Sequence, residues 1–177
     1  MTESCVGCGA VVEKIDGPVH RYMTSAPGCW ERYGELLGAL AIDPTAGATR
    51  VLCVDAYATQ HPGSPNPQAV QSVAIHLLNM YGYLVQNRPV GIPQKSLKVH
   101  GRDVEFRWLE PPSFAQRRTV FDVPFDAPGD TIAKAAREWT ESVWAAWSQH
   151  HAQVAAWHDE IGVSAGTAST GGRHGRR

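Results

Sequence analysis

The chain has 177 residues, 43% of them hydrophobic and 19% charged, which suffices for one domain with a substantial core. Sixteen basic and seventeen acidic residues give a formal charge of −1, so the composition argues against nucleic acid or anionic lipid as a partner. No secretory signal and no apolar run of about eighteen residues is visible, so we expect a cytoplasmic protein without membrane association.

The first 28 residues are rich in glycine and proline and lack helical periodicity. Within them, the motif CVGCG places Cys5 and Cys8 two residues apart, with glycines that let the backbone turn both sulfurs toward one ion. The other two ligands of a tetrahedral site should lie nearby, and His20 and Cys29 complete a C-x2-C-x11-H-x8-C pattern. The sequence therefore predicts a zinc knuckle with Cys5, Cys8, His20 and Cys29 as ligands.

The cysteines also allow other interpretations. Cys5 and Cys8 could be free thiols on an unstructured terminus, or a redox pair of the thioredoxin type, although no strand–helix unit surrounds them. In a reducing compartment they are poor candidates for structural disulfides. Cys53 falls within a predicted helix and is interpreted as a small buried hydrophobic residue.

Three helices are predicted in the first half of the chain. The first begins near Pro27 and runs to about Ala41, before Asp43-Pro44. The second extends from about Thr49 to His61 and stops at Pro62-Gly63. The third follows Asn66-Pro67, an N-cap and first-turn pair. Both the third and the second helix have a stripe of residues at helical spacing. It comprises Val70, Val73, Leu77, Met80 and Leu84 in the third helix, and Val51, Val54, Ala58 and His61 in the second.

Prolines interrupt helical periodicity between about residues 87 and 126. Two short alternating runs there, Val104–Trp108 and Thr119–Val123, are candidates for extended segments or a hairpin. After Asp130, a predicted N-cap, the longest helix runs to Gly162. This helix contains four tryptophans, Trp139, Trp144, Trp147 and Trp157. They could form a stacking platform, but their place on the apolar stripe leads us to expect them in the core.

These patterns predict a mainly α-helical fold: a bundle of about four principal helices with an N-terminal zinc knuckle and an irregular proline-rich segment. Residues 1–163 form the single domain, on which the knuckle segment 1–28 packs. Residues 164–177, poor in apolar groups and ending in a basic cluster, are interpreted as a disordered tail.

A second group of polar residues could carry chemistry. Asp55, His61 and His76, with His151 as a possible fourth member, recur along the presumed inner faces of the helices, where helical bundles place metal and catalytic sites. Asp55 and His61 do not share a helix face, so another element would have to bring them together. The alternative is that Asp55 accepts a hydrogen bond from a neighbouring Tyr or Trp and that the histidines are satisfied groups at the edge of the core.

Several strings together resemble a family of bacterial proteins known only as a domain of unknown function. They cover about residues 5 to 158 and comprise CVGCG, HRYM from His20, PGCW from Pro27, VDAYATQHPG from Val54, QSVAIHL from Gln71 and SVWAAWSQHH from Ser142. The resemblance implies that the cysteine knuckle and the segments of Asp55, His61 and His76 belong to one unit. It implies no reaction.

Two functions are consistent with these residues. The first is a structural zinc protein that binds a small molecule or a protein partner. The second is a metal-dependent enzyme, a hydrolase or a related one, in which Asp55, His61 and His76 activate water or a substrate oxygen. A DNA-binding regulator is weakly supported, because the charge is balanced and no helix has a basic face.

Overall fold

A computed structural model describes residues 1–90 and 104–170. The regular structure in these ranges is a short antiparallel hairpin followed by five α-helices: β1 (Thr2–Ser4), β2 (Val11–Glu13), α1 (Pro27–Ala41), α2 (Gly47–Gln60), α3 (Pro67–Leu84), α4 (Gly129–Ala146) and α5 (His151–Thr170). The prediction of a mainly helical fold is confirmed. None of the helices in these ranges has the length and apolar character needed to cross a membrane.

The helix boundaries in the first half follow the sequence signals closely. α1 begins at Pro27 and ends at Ala41, as predicted. The side chain of Asn66 accepts a hydrogen bond from the backbone N–H of Ala69 at 3.0 Å, so it caps α3 as expected. α2 begins at Gly47, slightly earlier than predicted, and its last helical residue is Gln60, so His61 is its C-cap.

α2 is the central helix, and α1, α3 and α4 pack around it. Its second half is buried on all sides, whereas Val51 and Val54 of the predicted apolar stripe are only half-buried. Ala58 and His61 of the predicted stripe are buried, so the stripe is confirmed only in its second half, and burial there extends around the helix because three neighbours cover it rather than one. Its buried Gln60 is satisfied, since the amide accepts from Trp139 Nε1 at 3.0 Å and donates to the Arg118 carbonyl at 2.7 Å.

The tryptophans of α4, of α5 and of the turn between them are buried, as expected for core residues, with Trp139 and Trp147 fully inaccessible. The single long helix predicted here is interrupted, because the 3₁₀ turn Trp147–His150 joins α4 to α5. α4 begins at Gly129 after Pro128, so Asp130 lies in the first turn rather than at the N-cap. Its carboxylate there still favours the positive end of the helix dipole.

Neither of the two alternating runs forms a strand or a hairpin. Val104–Trp108 has no regular structure, and Val120–Asp122 forms a 3₁₀ turn capped by Thr119 rather than a strand. The hairpin lies instead at the N-terminus, where its three-residue strands are too short to show alternation. Residues 91–103 of the proline-rich segment lie outside the described ranges.

The C-terminal end differs from the expected one as well. α5 continues through Gly162, where we expected a helix end, to Thr170. The interpretation of 164–177 as a tail stays a prediction, because residues 171–177 also lie outside the described ranges.

The N-terminal segment lies against α1 and the end of α2. A Cβ on Gly28 would come within 2.7 Å of the Glu13 carbonyl oxygen, so β2 and α1 approach closely at a residue without a side chain. Further along, Met23 pairs with Pro62 in an antiparallel bridge, and the Thr24 hydroxyl donates to the Pro62 carbonyl. These contacts bring the segment before α1 beside the residue that ends α2.

Candidate metal centre

The loop between β1 and β2 is a tight turn that carries two inward-facing thiols. The Gly9 N–H donates to the Cys5 carbonyl at 2.9 Å, and the Cys5 N–H donates to the Ala10 carbonyl at 2.8 Å. Gly9 has a φ of +78°, a left-handed conformation that glycine adopts without strain. As a result, Cys5 and Cys8 are both buried, each only 2% exposed.

The third thiol comes from the first turn of α1. Cys29 is fully buried, and its Sγ lies 3.8 Å from the Sγ of Cys8. Just before this helix, the Ala26 N–H donates to the Cys5 sulfur at 3.4 Å. Such backbone donors stabilise a thiolate, which is the form that binds metal.

The fourth member is His61, at the end of α2. Its Nε2 lies 3.5 Å from the Cys29 sulfur, and its Nδ1 lies 2.8 Å from the Tyr57 carbonyl oxygen. Because a carbonyl only accepts, Nδ1 carries the hydrogen and, in the neutral ring, the lone pair is on Nε2. The imidazole therefore presents its coordinating nitrogen to the three sulfurs.

The spacing of these four side chains fits one tetrahedral ion. Their ligand atoms all lie within 4.8 Å of one another. A tetrahedral zinc ion has Zn–S and Zn–N distances of about 2.3 and 2.0 Å, which place neighbouring sulfurs about 3.8 Å apart and a sulfur and a nitrogen about 3.5 Å apart. The separations of 3.8 Å for Cys8–Cys29 and 3.5 Å for Cys29–His61 match these values.

The electrostatics of the cluster favour a thiolate at Cys5 and a protonated thiol at Cys8. Hydrogen bonds from Cys29 and Cys8 hold the pKa of Cys5 far below its usual value, whereas hydrogen bonding to Cys29 and Cys5, together with burial, raises the pKa of Cys8. Burial lowers the pKa of His61, but hydrogen bonds to Cys29 and Cys5 outweigh it and raise this pKa to about 9. Without an ion, negative charge on the Cys5 sulfur thus lies beside a protonated His61, and a cation would replace the protons on Cys8 and on His61 Nε2.

A second layer of groups orients the ligands. The Tyr57 hydroxyl donates to the Cys29 sulfur at 3.7 Å and shares a 2.6 Å hydrogen bond with Ser25. Burial raises the pKa of Tyr57, so its hydroxyl keeps its proton as a donor. The Tyr57 ring also stacks on His61, with ring centroids 3.9 Å apart.

Of the four ligands predicted from the sequence, the structure gathers Cys5, Cys8 and Cys29, and it places His61 where we expected His20. The half-buried His20 ring lies against Tyr22 and Trp30, with centroids 5.9 and 5.6 Å away. Its Nδ1 accepts the Tyr22 N–H at 3.3 Å, and His20 is not among the residues whose ligand atoms gather in the cluster. One feature of the sequence could have identified His61 as a ligand, namely its position immediately before Pro62-Gly63. A helix has to end there, and a side chain at the end of a helix can face another segment.

The predicted catalytic group of Asp55, His61 and His76 is not assembled. Asp55 and His76 are hydrogen-bonded at 2.6 Å, but His61 belongs to the cysteine cluster. His151 stacks on Trp144 and bonds its carbonyl at 3.0 Å. Within residues 1–90 and 104–170, the cysteine cluster is the one group of three or more His, Cys, Asp or Glu residues with ligand atoms close enough for an ion.

Comparisons with known proteins agree with the resemblance seen in the sequence. Residues 3–148 match the model of a family described as "Family of unknown function (DUF5946)". No curated protein and no solved structure matches the chain significantly. The cysteine cluster and the Asp55–His76 pair both fall inside the matched range.

Proposed function

This chain belongs to the DUF5946 family, and from its geometry we propose that it is a zinc-binding protein in which Cys5, Cys8, Cys29 and His61 hold one ion. The observation that carries the proposal is the buried group of three sulfurs and one imidazole nitrogen within 4.8 Å of one another, in which the Cys8–Cys29 and Cys29–His61 separations match those of a tetrahedral ion. Thiolate and imidazole donors in a tetrahedral arrangement favour zinc over magnesium or calcium, which take oxygen ligands.

The role of the ion is structural rather than catalytic. A catalytic zinc keeps a position open for water, whereas four protein ligands close the coordination sphere. Here all four ligands are at most 2% exposed, so they offer almost no surface to a substrate. The ion would join the β1–β2 turn, the start of α1 and the end of α2, and so fix a segment that has few apolar residues of its own.

We place the binding role at a cleft beside this centre. Its volume is about 480 Å³, within the range of small-molecule pockets. One wall is the knuckle turn, residues 6–9, and the other is the loop 112–116, with Phe114 as its aromatic residue. The exposed Val6 side chain stands at the knuckle side of the cleft. Ser113 and Gln116 add polar groups to this lining, so a small molecule with both a polar and an apolar part is the ligand that fits it.

Three thiols reserved for a metal also favour a reducing compartment, since an oxidising one would convert them to disulfides. The cytosol is the compartment that we propose.

Elemental analysis of protein purified anaerobically tests the metal assignment. We expect one zinc per chain in the wild type and none after Cys8→Ser. Cys53→Ser is the matched control, because Cys53 is equally buried but lies outside the cluster, and it should retain the ion. Wild-type protein without metal, or Cys8→Ser protein with a full equivalent, would contradict the assignment.

The cleft is tested separately with the apolar dye 1-anilinonaphthalene-8-sulfonate. We expect fluorescence enhancement with the wild type and a loss of most of it with Val6→Asp. Val11→Asp, which changes an exposed valine of β2 that does not line the cleft, should leave the enhancement unchanged. Equal enhancement in all three proteins would exclude the cleft as the binding site.

A further inference from the structure

Asp55 and His76 form a pair that the zinc centre does not use. The Nδ1 of His76, on α3, donates to Asp55 Oδ1 at 2.6 Å, a distance typical of a charge-assisted hydrogen bond. Asp55 lies in the middle of α2 and is only 1% exposed. A carboxylate this deeply buried needs several partners, because each lost hydrogen bond to water costs free energy.

α3 supplies the other partners of this carboxylate from one face. Asn79 donates to the same oxygen at 3.1 Å, and the Tyr83 hydroxyl donates to Oδ2 at 3.1 Å. Burial, followed by the nearby Asp55 charge, raises the pKa of Tyr83, so this hydroxyl remains a donor. Three donors at positions i, i+3 and i+7 hold the carboxylate, and through it the imidazole, in one orientation.

The two members of the pair differ sharply in exposure. The side chain of Asp55 is 2% exposed, whereas that of His76 is 21% exposed. Because Nδ1 of His76 faces the buried carboxylate of Asp55, Nε2 is the ring nitrogen that can face the solvent. Among the described residues, no protein group forms a hydrogen bond with this nitrogen. The buried carboxylate thus orients an imidazole whose second nitrogen is left for the surface.

We propose that Asp55 and His76 form a proton-transfer site in which His76 is a general base for the hydrolysis of ester substrates. The proton of a bound water moves to Nε2, the water oxygen forms a bond to the carbonyl carbon, and the bond to the leaving alcohol oxygen breaks. The proton on Nε2 then passes to that alcohol oxygen, so the imidazole returns to its neutral form. Asp55 keeps the hydrogen on Nδ1 and stabilises the transient imidazolium, which makes it a positioning residue.

This function is independent of the zinc centre, since no ligand of the ion takes part. The reaction needs one base and no metal or cofactor, which suits a pair that is not part of a larger group of ligands. An ester is the acyl substrate that a single base can hydrolyse with the least further assistance, because an alcohol oxygen leaves more readily than an amine nitrogen.

The test uses the full, zinc-loaded chain and p-nitrophenyl acetate as the probe. The key variant is His76→Asn, because its side-chain amide places an N–H donor near the position of Nδ1 and removes Nε2. Asp55 therefore keeps its partner while the base is lost. We expect the hydrolysis rate to fall by about tenfold or more, in line with the contribution of a general base. Zinc content and the circular dichroism spectrum should stay as in the wild type.

His158 offers a matched control elsewhere on the surface. Its side chain is 24% exposed and lies 3.4 Å from Asp159, but that aspartate is 77% exposed and so imposes little order on the ring. His158→Asn should therefore keep the wild-type rate. A wild-type rate no higher than that of His76→Asn, or an equal loss in His158→Asn, would overturn the proposal.

Nitrogen-15 NMR of the imidazoles tests the proposal on the wild-type protein, so it does not depend on whether a His76 variant folds. Neutral His76 should carry its hydrogen on Nδ1 in the wild type. In Asp55→Asn this preference should weaken, and the hydrolysis rate should fall with it. A wild-type spectrum with the hydrogen of neutral His76 on Nε2 would contradict the proposed role of both residues.

Discussion

The ring of His61 stacks on that of Tyr57 one helical turn earlier, and its Nδ1 bonds the carbonyl oxygen of the same tyrosine at 2.8 Å. The two contacts fix both the plane and the tautomer of the imidazole, and Nε2 consequently faces the sulfur of Cys29. The end of α2 thus acts as one half of the candidate centre, and the knuckle turn with the start of α1 acts as the other.

The first prediction concerns which histidine binds the ion. His61→Ala should weaken zinc binding by about 100-fold or more, because it removes a ligand and not merely a supporting contact. His20→Ala should leave the affinity nearly unchanged, since the His20 ring contacts Tyr22 and Trp30 instead. Competition with a chromophoric chelator measures both. A large loss of zinc affinity in His20→Ala with little loss in His61→Ala would contradict this prediction and would support His20 as the fourth ligand.

The second prediction concerns the close fit of the knuckle turn. A Cβ on Gly7 would lie 2.5 Å from His61 Cδ2 and 2.5 Å from the Thr24 carbonyl oxygen, so Gly7→Ala has to move the turn away from α2. We expect zinc affinity to fall by about 10- to 100-fold, as for other changes that displace a ligand. The same chelator competition detects this loss.

Gly34→Ala is the control for that substitution. A Cβ on Gly34 meets nothing within 4 Å, and alanine is the better helix former in α1. Zinc affinity should be unchanged and the protein slightly more stable. Equal zinc affinity in Gly7→Ala would mean that the turn does not pack against His61 as described.

Much of the helical framework was predictable because the signals that begin and end its helices are local in the sequence. Pro27 at the first position of α1 and Asn66 as the cap of α3 act within a turn of their own position, so their effect is visible in the sequence. The burial of α2 was not predictable in the same way. It depends on the packing of α1, α3 and α4 around α2, and the spacing of apolar residues along α2 does not indicate how many helices will contact it.

The cysteine part of the site was predictable for a similar reason, and the histidine was not. Cys5 and Cys8 lie in one turn, so their spacing alone indicates that both sulfurs can meet. His61 follows Cys29 by 32 residues, and the two meet only because the segment containing Met23 pairs with Pro62. Proximity along the chain favoured His20, whereas tertiary packing selects His61.

The third prediction addresses the polar contacts inside the helical core. Gln60→Leu leaves the Trp139 indole N–H and the Arg118 carbonyl without the partners they have in the wild type. The free energy of unfolding should fall by about 1–3 kcal/mol, because the buried Trp139 N–H is left unsatisfied, whereas Arg118 is exposed. Denaturant unfolding measures the change. Gln71→Leu, at an exposed position of α3, should change it by no more than about 0.5 kcal/mol.

The fourth prediction is a pH dependence that originates at Cys53. Burial raises the pKa of this thiol from 9.0 to about 12. Above pH 9 the unfolded chain therefore loses a proton that the folded chain retains, and folding stability decreases as the pH rises. The contribution approaches about 1.4 kcal/mol per pH unit between pH 9 and 12.

Cys53→Ala isolates this contribution from the other groups that titrate at high pH. The cavity left by the sulfur costs the same free energy at every pH, so the stability difference between the variant and the wild type should shift in favour of the variant as the pH rises. Denaturant unfolding at a series of pH values measures it. A difference that stays constant from pH 8 to 11 would show that the thiol is accessible to hydroxide in the folded chain.

X-ray absorption spectroscopy at the zinc edge tests the metal centre most directly, because it reports the donor atoms of the ion itself. We predict a first shell of three sulfurs at about 2.3 Å and one nitrogen at about 2.0 Å, the donor set of Cys5, Cys8, Cys29 and His61. A first shell made of oxygen and nitrogen alone, or purified protein without an absorption edge for any metal, would contradict it.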